Sequence, residues 1–280
     1  MAATVPPKKR REWPLAVVFT WRFAAVTLIP ILVLSVVFIF YFAPRIKQEV
    51  EERQASFVTS VVSQTENYFA SATRELGTLS RLLGGGAAMD DHLGDLLDAY
   101  ASGSDFYEAI YLADARGRVV VIGLPQAVRS LRANHLGLDI SGRDFFKQSR
   151  GSKHAVWSNS FLSLVSGRLT VAVAVPVGEL TLVGEIATAP LPALVRKLTE
   201  HTRVQLMLLD RGDHLVAHSS EELSNQQLNF AALPIVLASR TKEERGSMAF
   251  EFQGQEMVGV ARLVPGPGWL AVVAEPKHTA

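Results

Sequence analysis

From Phe23 to Ala43 the chain runs for 21 residues without a charge, reading FAAVTLIPILVLSVVFIFYFA. At about 1.5 Å of rise per residue, a helix of that length spans a hydrocarbon core of roughly 30 Å. The run predicts a transmembrane helix. Pro30 would kink it, which membrane helices tolerate, and Trp21 and Tyr41 stand near its ends, where amphipathic rings favour the headgroup layer. A buried soluble helix and a cleaved signal peptide are the rival readings. The run exceeds the apolar core of a signal peptide, about 7–15 residues, and Phe42-Ala43-Pro44 lacks a small-x-small cleavage pattern. An uncleaved anchor is the expectation.

Charge orients the anchor. Lys8, Lys9, Arg10 and Arg11 precede it, while Arg45, Lys47 and Arg53 follow more sparsely. Positive flanks resist translocation, which predicts a cytoplasmic tail over 1–22 and export of residues 44–280. Across the whole chain Lys+Arg 28 nearly balance Asp+Glu 27. Since the tail takes a basic excess, the body is mildly acidic and carries no footprint for nucleic acid. The absence of cysteine excludes a disulfide framework, thiol catalysis and cysteine-based zinc sites.

After Pro44 the sequence predicts one long helix over 46–83. Phe57, Val61, Tyr68, Leu76, Leu79 and Leu83 fall on steps of three and four, and Gly84-Gly85-Gly86 supply the backbone freedom of a helix stop. Such a rod cannot bury its stripe alone. It must pack on the domain that follows, on the same helix of a second copy in a homodimer, or on both. A shorter helix is expected over Asp90–Ser102. Strands follow at 106–113 and 118–124, joined by Asp114-Ala115-Arg116-Gly117, then a polar loop, a short helix at 144–150, and strands at 155–162, 168–175 and 179–187. A helix with Pro190 and Pro192 near its start runs to about Glu200.

A shorter version of the pattern then recurs. YLADARGRVVVIG (111–123) and LMLLDRGDHLVAH (206–218) share an apolar strand, an acidic residue, a tight glycine turn and a second apolar strand. The fold class predicted is α+β, with two tandem modules over 87–190 and 191–280, each built on an antiparallel sheet.

Three segments in order carry a family resemblance: LDISGRDFFKQSR (138–150), VWSNSFLSLVSGRLTVAVAVPV (156–177) and PGPGWLAVVAEP (265–276), all behind the long helix. Over Arg45–Pro276 the chain resembles the double Cache sensor domain of bacterial transmembrane receptors. The resemblance implies two PAS-like modules in the periplasm, anchored in the cell membrane. It also implies a small ligand in the membrane-distal module and a signal carried to the membrane by the long helix. Such receptors continue into a second membrane helix and a kinase, cyclase or chemotaxis output as signalling partner. A sequence ending at Ala280 is then expected to be a receptor fragment or a receptor-like protein without its own output.

In amino-acid-binding members of the family an arginine, followed two and three residues later by Trp-Tyr, holds the ligand carboxylate. An aspartate on a later strand takes the ammonium. Arg143 matches the arginine, and a guanidinium can grip a carboxylate bidentately. Phe145 and Phe146 stand in place of Trp-Tyr, Leu138 replaces a tyrosine five residues before the arginine, and Glu185 lies near the aspartate position. With those ring donors lost, a small carboxylate or a more apolar ligand suits the site as well as an amino acid. Ser141, Tyr111, Trp157 and Asn159 are further candidate walls, the aromatics competing with simple core packing. Arg143 has an alternative in a surface ion pair with Asp139 or Asp144, and Glu185 in a solvent-facing place at a sheet edge.

Enzymatic readings find little support. There is no Gly-x-Ser-x-Gly elbow, phosphate loop or dinucleotide fingerprint. His214 and His218 have i,i+4 spacing but sit in a strand pattern, so no metal or other cofactor is expected. The reading that competes with a sensor is an exported protein-interaction module whose pocket is vestigial.

Overall fold

The computed structural model describes residues 15–85, 92–224, 226, 228–241 and 247–277. The basic cluster at 8–11, Gly86, the Asp90-Asp91 pair and His278 lie outside them. The chain divides into two compact units, Met1–Val50 and Glu51–Ala280.

The first unit is helical. α1 covers Leu15–Val37 with Pro30 inside it, a π-helical turn covers Phe38–Phe42, and α2 begins at Ala43 and continues to Gly84. Apolar side chains along α1 are exposed, among them Phe23, Leu28, Leu32 and Leu34, as is Phe40 just beyond it. Among the described residues no helix is long and apolar enough to cross a membrane.

The second unit holds two five-stranded sheets of identical topology. The first comprises β1 (Tyr107–Ala113), β2 (Val119–Gly123), β3 (Val156–Leu162), β4 (Leu169–Val177) and β5 (Leu180–Ala187), in the order β2-β1-β5-β4-β3. The second comprises β6 (Gln205–Leu209), β7 (Leu215–His218), β8 (Met248–Phe252), β9 (Gln255–Val264) and β10 (Trp269–Pro276), in the order β7-β6-β10-β9-β8. Every pairing is antiparallel. The helices are α3 (Leu93–Gly103), α4 (Arg132–His135), α5 (Asp144–Ser149), α6 (Pro190–Thr199), α7 (Glu221–Ser224) and α8 (Pro234–Thr241). The elements expected over 46–200 are thus present with ends displaced by at most three residues, whereas the helix of the uncharged run begins at Leu15 rather than Phe23 and gives way to the π-helical turn after Val37.

The sequence repeat is a structural repeat. In the first sheet the Asp114 carboxylate accepts the backbone N–H groups of Arg116 and Arg118 at 2.8 and 2.9 Å, closing the β1–β2 turn. In the second, Asp210 accepts those of Gly212 and His214 at 2.8 and 2.9 Å, closing the β6–β7 turn. A short side-chain acceptor that binds its own backbone two residues on is what makes aspartate a turn former.

α2 carries both sheets. Its buried stripe is Gln54, Val58, Val61, Thr65, Phe69, Ala72, Leu76 and Leu79, an unbroken succession of steps of three and four. This shifts the stripe expected from the sequence by part of a turn: Phe57, Tyr68 and Leu83 flank it, half-buried. The N-terminal half meets the second sheet, where the Gln54 amide donates to the Val258 carbonyl at 3.3 Å. The C-terminal half meets the first, where the Tyr107 hydroxyl donates to the Ala72 carbonyl and the Tyr68 hydroxyl to that of Ala187 at 2.8 Å. Gly184 permits this approach, since a Cβ there would stand 2.9 Å from the Tyr107 ring and 3.2 Å from Leu76. Between the halves, the Phe69 ring makes edge contacts with Trp157 of the first sheet at 5.4 Å and Trp269 of the second at 4.8 Å. Each such aromatic pair adds about 0.5–1.5 kcal/mol beyond the area it buries.

The opposite face of each sheet has a core of its own. Beneath the first lie Ile140, Phe145 and Phe146 against Ala109, Tyr111, Ala172 and Val183. Beneath the second lie Ile235 and Val236 against Met207, Leu209, Phe252 and Leu270. His218 is buried on β7. Desolvation pulls its imidazole down to about 4, so the ring is neutral, and its Nδ1 accepts the Ser220 N–H at 2.7 Å.

Truncating the ring that joins the two sheets should destabilise the whole unit. Phe69→Ala is expected to cost about 3–5 kcal/mol. Denaturant unfolding followed by the fluorescence of Trp157 and Trp269 should show one transition at a lower midpoint.

Candidate functional site

The site is built on the pocket side of the first sheet, where a short helix and a bulged edge strand face each other. The polar loop after β2 folds back so that Asp139 accepts the Ser141 N–H at 2.8 Å and the Arg143 N–H donates to the Ile140 carbonyl at 2.9 Å. This turn delivers Arg143, in extended backbone, to the N-cap of α5. Phe145 and Phe146 then point into the core at 4% and 2% exposure. Opposite, Trp157 pairs with Val173 and Ser160 with Val171, so that Ser158 and Asn159 together stand across from Ala172. Two residues facing one is a β-bulge, and bulges re-aim side chains. Here the Ser158 hydroxyl is taken into the sheet, accepting the Ala172 N–H at 2.8 Å, while Asn159 is exposed.

Between these elements lies a cleft of about 440 Å³, lined by Arg143, Phe145, Gln148, Trp157, Asn159 and Phe161 and also by Asp144, Ser160 and Arg211. That volume lies within the range of small-molecule sites, about 300–1,000 Å³. The Arg143 guanidinium lies over the Phe161 ring, 5.0 Å from its centroid, and Phe145 stacks on the same ring at 6.1 Å. Among the described residues Arg143 makes no hydrogen bond or ion pair through its guanidinium. The pairing with Asp139 or Asp144 is not formed: Asp139 holds the Ser141 turn, and Asp144 lies 3.9 Å from Lys147.

Glu185 occupies the middle strand of its sheet at 5% exposure, which removes the solvent-facing edge alternative. Its neighbours across the strands are Ala109 and Ala172, small enough to leave room for a carboxyl group. The Ser163 hydroxyl donates to Glu185 Oε2 at 2.6 Å and the Tyr111 hydroxyl to Oε1 at 3.3 Å. Ser163 also accepts the Val165 N–H at 3.1 Å, so this carboxyl braces the β3–β4 turn. Burial pushes the Glu185 carboxyl above the usual range, opposed by the hydrogen bonds from Ser163 and Tyr111 and by the charge of Arg143. Burial likewise raises the Tyr111 hydroxyl, with the nearby Glu185 adding to the effect.

The structure therefore sorts the candidates into groups. Arg143, Phe145, Trp157 and Asn159 share the cleft. Tyr111 and Glu185 are joined to each other behind it. Phe146 belongs to the core under the sheet. Ser141 is exposed in its turn, and Trp157 doubles as a contact of Phe69. Phe161, Gln148 and Arg211 are cleft residues the sequence reading did not single out. The second sheet also reaches the site through the buried Asp210, whose carboxylate accepts the Ser160 hydroxyl and, at 3.3 Å, its N–H. His214 and His218 lie on a turn and a strand, and no cluster of metal-ligating side chains occurs among the described residues.

Two sheets of one topology hung on a single helix, with a ligand-sized cleft beside the first, define a tandem α+β fold. The double Cache family model, described as a Cache domain, matches residues 42–280. The chain belongs to that family. The isoleucine-bound sensory domain of the Campylobacter jejuni chemoreceptor Tlp3 is similar with a TM-score of 0.65 at 15% identity, over 84% of this chain and 96% of that one. The extracellular domain of rpHK1S-Z16, described as a histidine kinase, gives 0.69 at 15%, over 83% and 96%. The ligand-binding domain of the Pseudomonas fluorescens chemoreceptor CtaA, bound to L-isoleucine, gives 0.61 at 13%, over 86% and 98%. At these identities the likeness establishes the fold. No curated protein matches the sequence. The two chemoreceptor neighbours are a sensory and a ligand-binding domain.

The environment of Glu185 predicts a pH signature. A carboxyl whose native pKa is raised stabilises the fold below the unfolded value of 4.5, and that stability is lost as pH rises through the native value. Replacing it with the neutral Glu185→Gln should flatten the response. Calorimetry from pH 4 to 8 should show the native chain losing melting temperature relative to the variant as pH increases. A difference independent of pH would contradict the assignment.

Proposed function

We propose that the chain is a membrane-anchored extracytoplasmic sensor that binds a small carboxylate in the cleft under the first sheet, with Arg143 as the anion contact. The observation that carries this reading is Arg143 itself. A half-buried guanidinium that has no carboxylate partner among the described residues, laid on an aromatic ring and lining a cleft, suits an anion. Phe145 and Phe161 supply apolar walls, and Gln148 and Asn159 the polar groups that would orient the ligand. Glu185 is already engaged by Ser163 and Tyr111, so an ammonium partner is less well provided for than a carboxylate partner. The amino acids bound by Tlp3 and CtaA carry the carboxylate that Arg143 suits.

Anchoring is supported by the uncharged run at 23–43 and by the exposure of its apolar side chains, at 73% for Phe23, 68% for Leu34 and 78% for Phe40. An exposed apolar run of this length calls for a cover, and lipid is the cover that suits this one. Signal transfer would run through α2, which packs on both sheets and continues N-terminally to Ala43. A homodimer through α2 and a signalling partner at the membrane complete the proposal.

Two measurements test it. Thermal shifts of the full chain in detergent, against a panel of small organic acids, should yield stabilising ligands. Arg143→Ala should weaken the best of them roughly ten- to a hundredfold, the equivalent of about 1.5–3 kcal/mol for a charged hydrogen bond. A pocket that responds to no acid would favour the interaction-module reading. The absence of native cysteine permits topology labelling. In intact cells Glu179→Cys should react with an impermeant maleimide and Thr4→Cys should not; the reverse labelling would overturn the orientation.

A further inference from the structure

The cleft is not furnished by the first sheet alone. Arg211 lies in the β6–β7 turn of the second sheet and reaches the same cleft as Arg143. The turn that carries it is firmly held. Asp210, fully buried, closes the turn with its own carboxylate and binds the Ser160 hydroxyl of β3 with the same group. Arg240 donates to the Asp210 carbonyl at 2.7 Å, to that of Gly268 at 2.8 Å and to the Asp213 carboxylate at 2.9 Å. Arg211 itself lies along the backbone of Gly268, where a Cβ would come within 3.4 Å of its Nε. Among the described residues its guanidinium has no hydrogen bond or ion pair. The acidic group of the cleft is Asp144, exposed and 3.9 Å from Lys147. Two guanidiniums that make no hydrogen bond or ion pair among the described residues therefore line one cavity, Arg143 from the N-cap of α5 and Arg211 from the β6–β7 turn.

We propose that Arg211 is a second anion contact of the cleft, so that the ligand is a small acid with two anionic groups, held between Arg143 and Arg211. This rests on the sensor reading above and specifies its ligand class. One anionic end would neutralise Arg143 over Phe161, and the other would neutralise Arg211 on its clamped turn. Such a ligand would bind both sheets at once, beside the Ser160–Asp210 contact that already joins them. A monoacid would leave one guanidinium unpaired, which is how a site discriminates by what it fails to satisfy.

The test compares succinate, glutarate and adipate with the monoacids butyrate, valerate and hexanoate by titration calorimetry on the full chain in detergent. At least one diacid should bind tenfold or more tightly than the monoacid of the same carbon count. In Arg211→Gln that advantage should shrink to within threefold, and Arg211→Lys, which keeps the charge but loses the planar fork, should restore part of it. Because Arg211 is exposed, the unliganded melting temperature should stay near that of the native chain. Equal binding of diacids and monoacids, or an advantage unchanged in Arg211→Gln, overturns this inference and leaves the sensor reading intact. Binding of no acid at all overturns both.

Discussion

Both sheets lean on a single apolar stripe. A five-stranded sheet must bury two faces, and here one face of each is covered by the same helix, α2, over Gln54–Leu79. Among the described residues neither sheet holds a separate helix of comparable length for that purpose, so a displacement of α2 is felt by both. Phe69 makes the dependence concrete, because its ring touches a tryptophan from each sheet. Packed cores shift between discrete arrangements rather than deforming smoothly. A contact that biases the first sheet therefore has a mechanical route to α2 and, through Asp210, to the second sheet.

The site follows from how two charges are treated. Glu185 is buried but supplied with hydroxyl donors from Ser163 and Tyr111, and burial favours its neutral form. Arg143 is half-buried and is given an aromatic ring instead of a counterion. Polar groups removed from water need partners, and among the described residues the Arg143 guanidinium has no hydrogen bond or ion pair. In the proposed reading the cleft takes an anion, and Phe145 presents no donor to a second polar end. Arg211, brought in from the other sheet, offers the second charge.

Much of this was readable in the residues. The repeat LADARGR and LLDRGDH marks the first hairpin of each of the two sheets, because an aspartate closing a glycine turn is a local device that needs no tertiary help. The α2 stripe was legible in period but displaced in phase. Gln54, Thr65 and Ala72 line the buried side, and no hydrophobicity count selects a glutamine whose amide caps a distant carbonyl. Arg143 was visible through its motif, whereas Phe161 and Arg211 were not. Phe161 reads as an ordinary strand aromatic, and the bulge at Ser158-Asn159 that shapes its strand is a register defect. Arg211 comes from a separate module and reaches the site only because Asp210 pins its turn to β3, a contact between residues 50 positions apart.

Hydrogen exchange of the full chain, with and without a saturating stabilising acid, tests the central claim most directly. A ligand held by Arg143 and transmitted through the shared packing should slow exchange together at 143–149 of α5, at 156–162 of β3, at the 210–214 turn and along the buried stretch of α2. Protection confined to a single exposed loop, or none at saturation, would contradict the account.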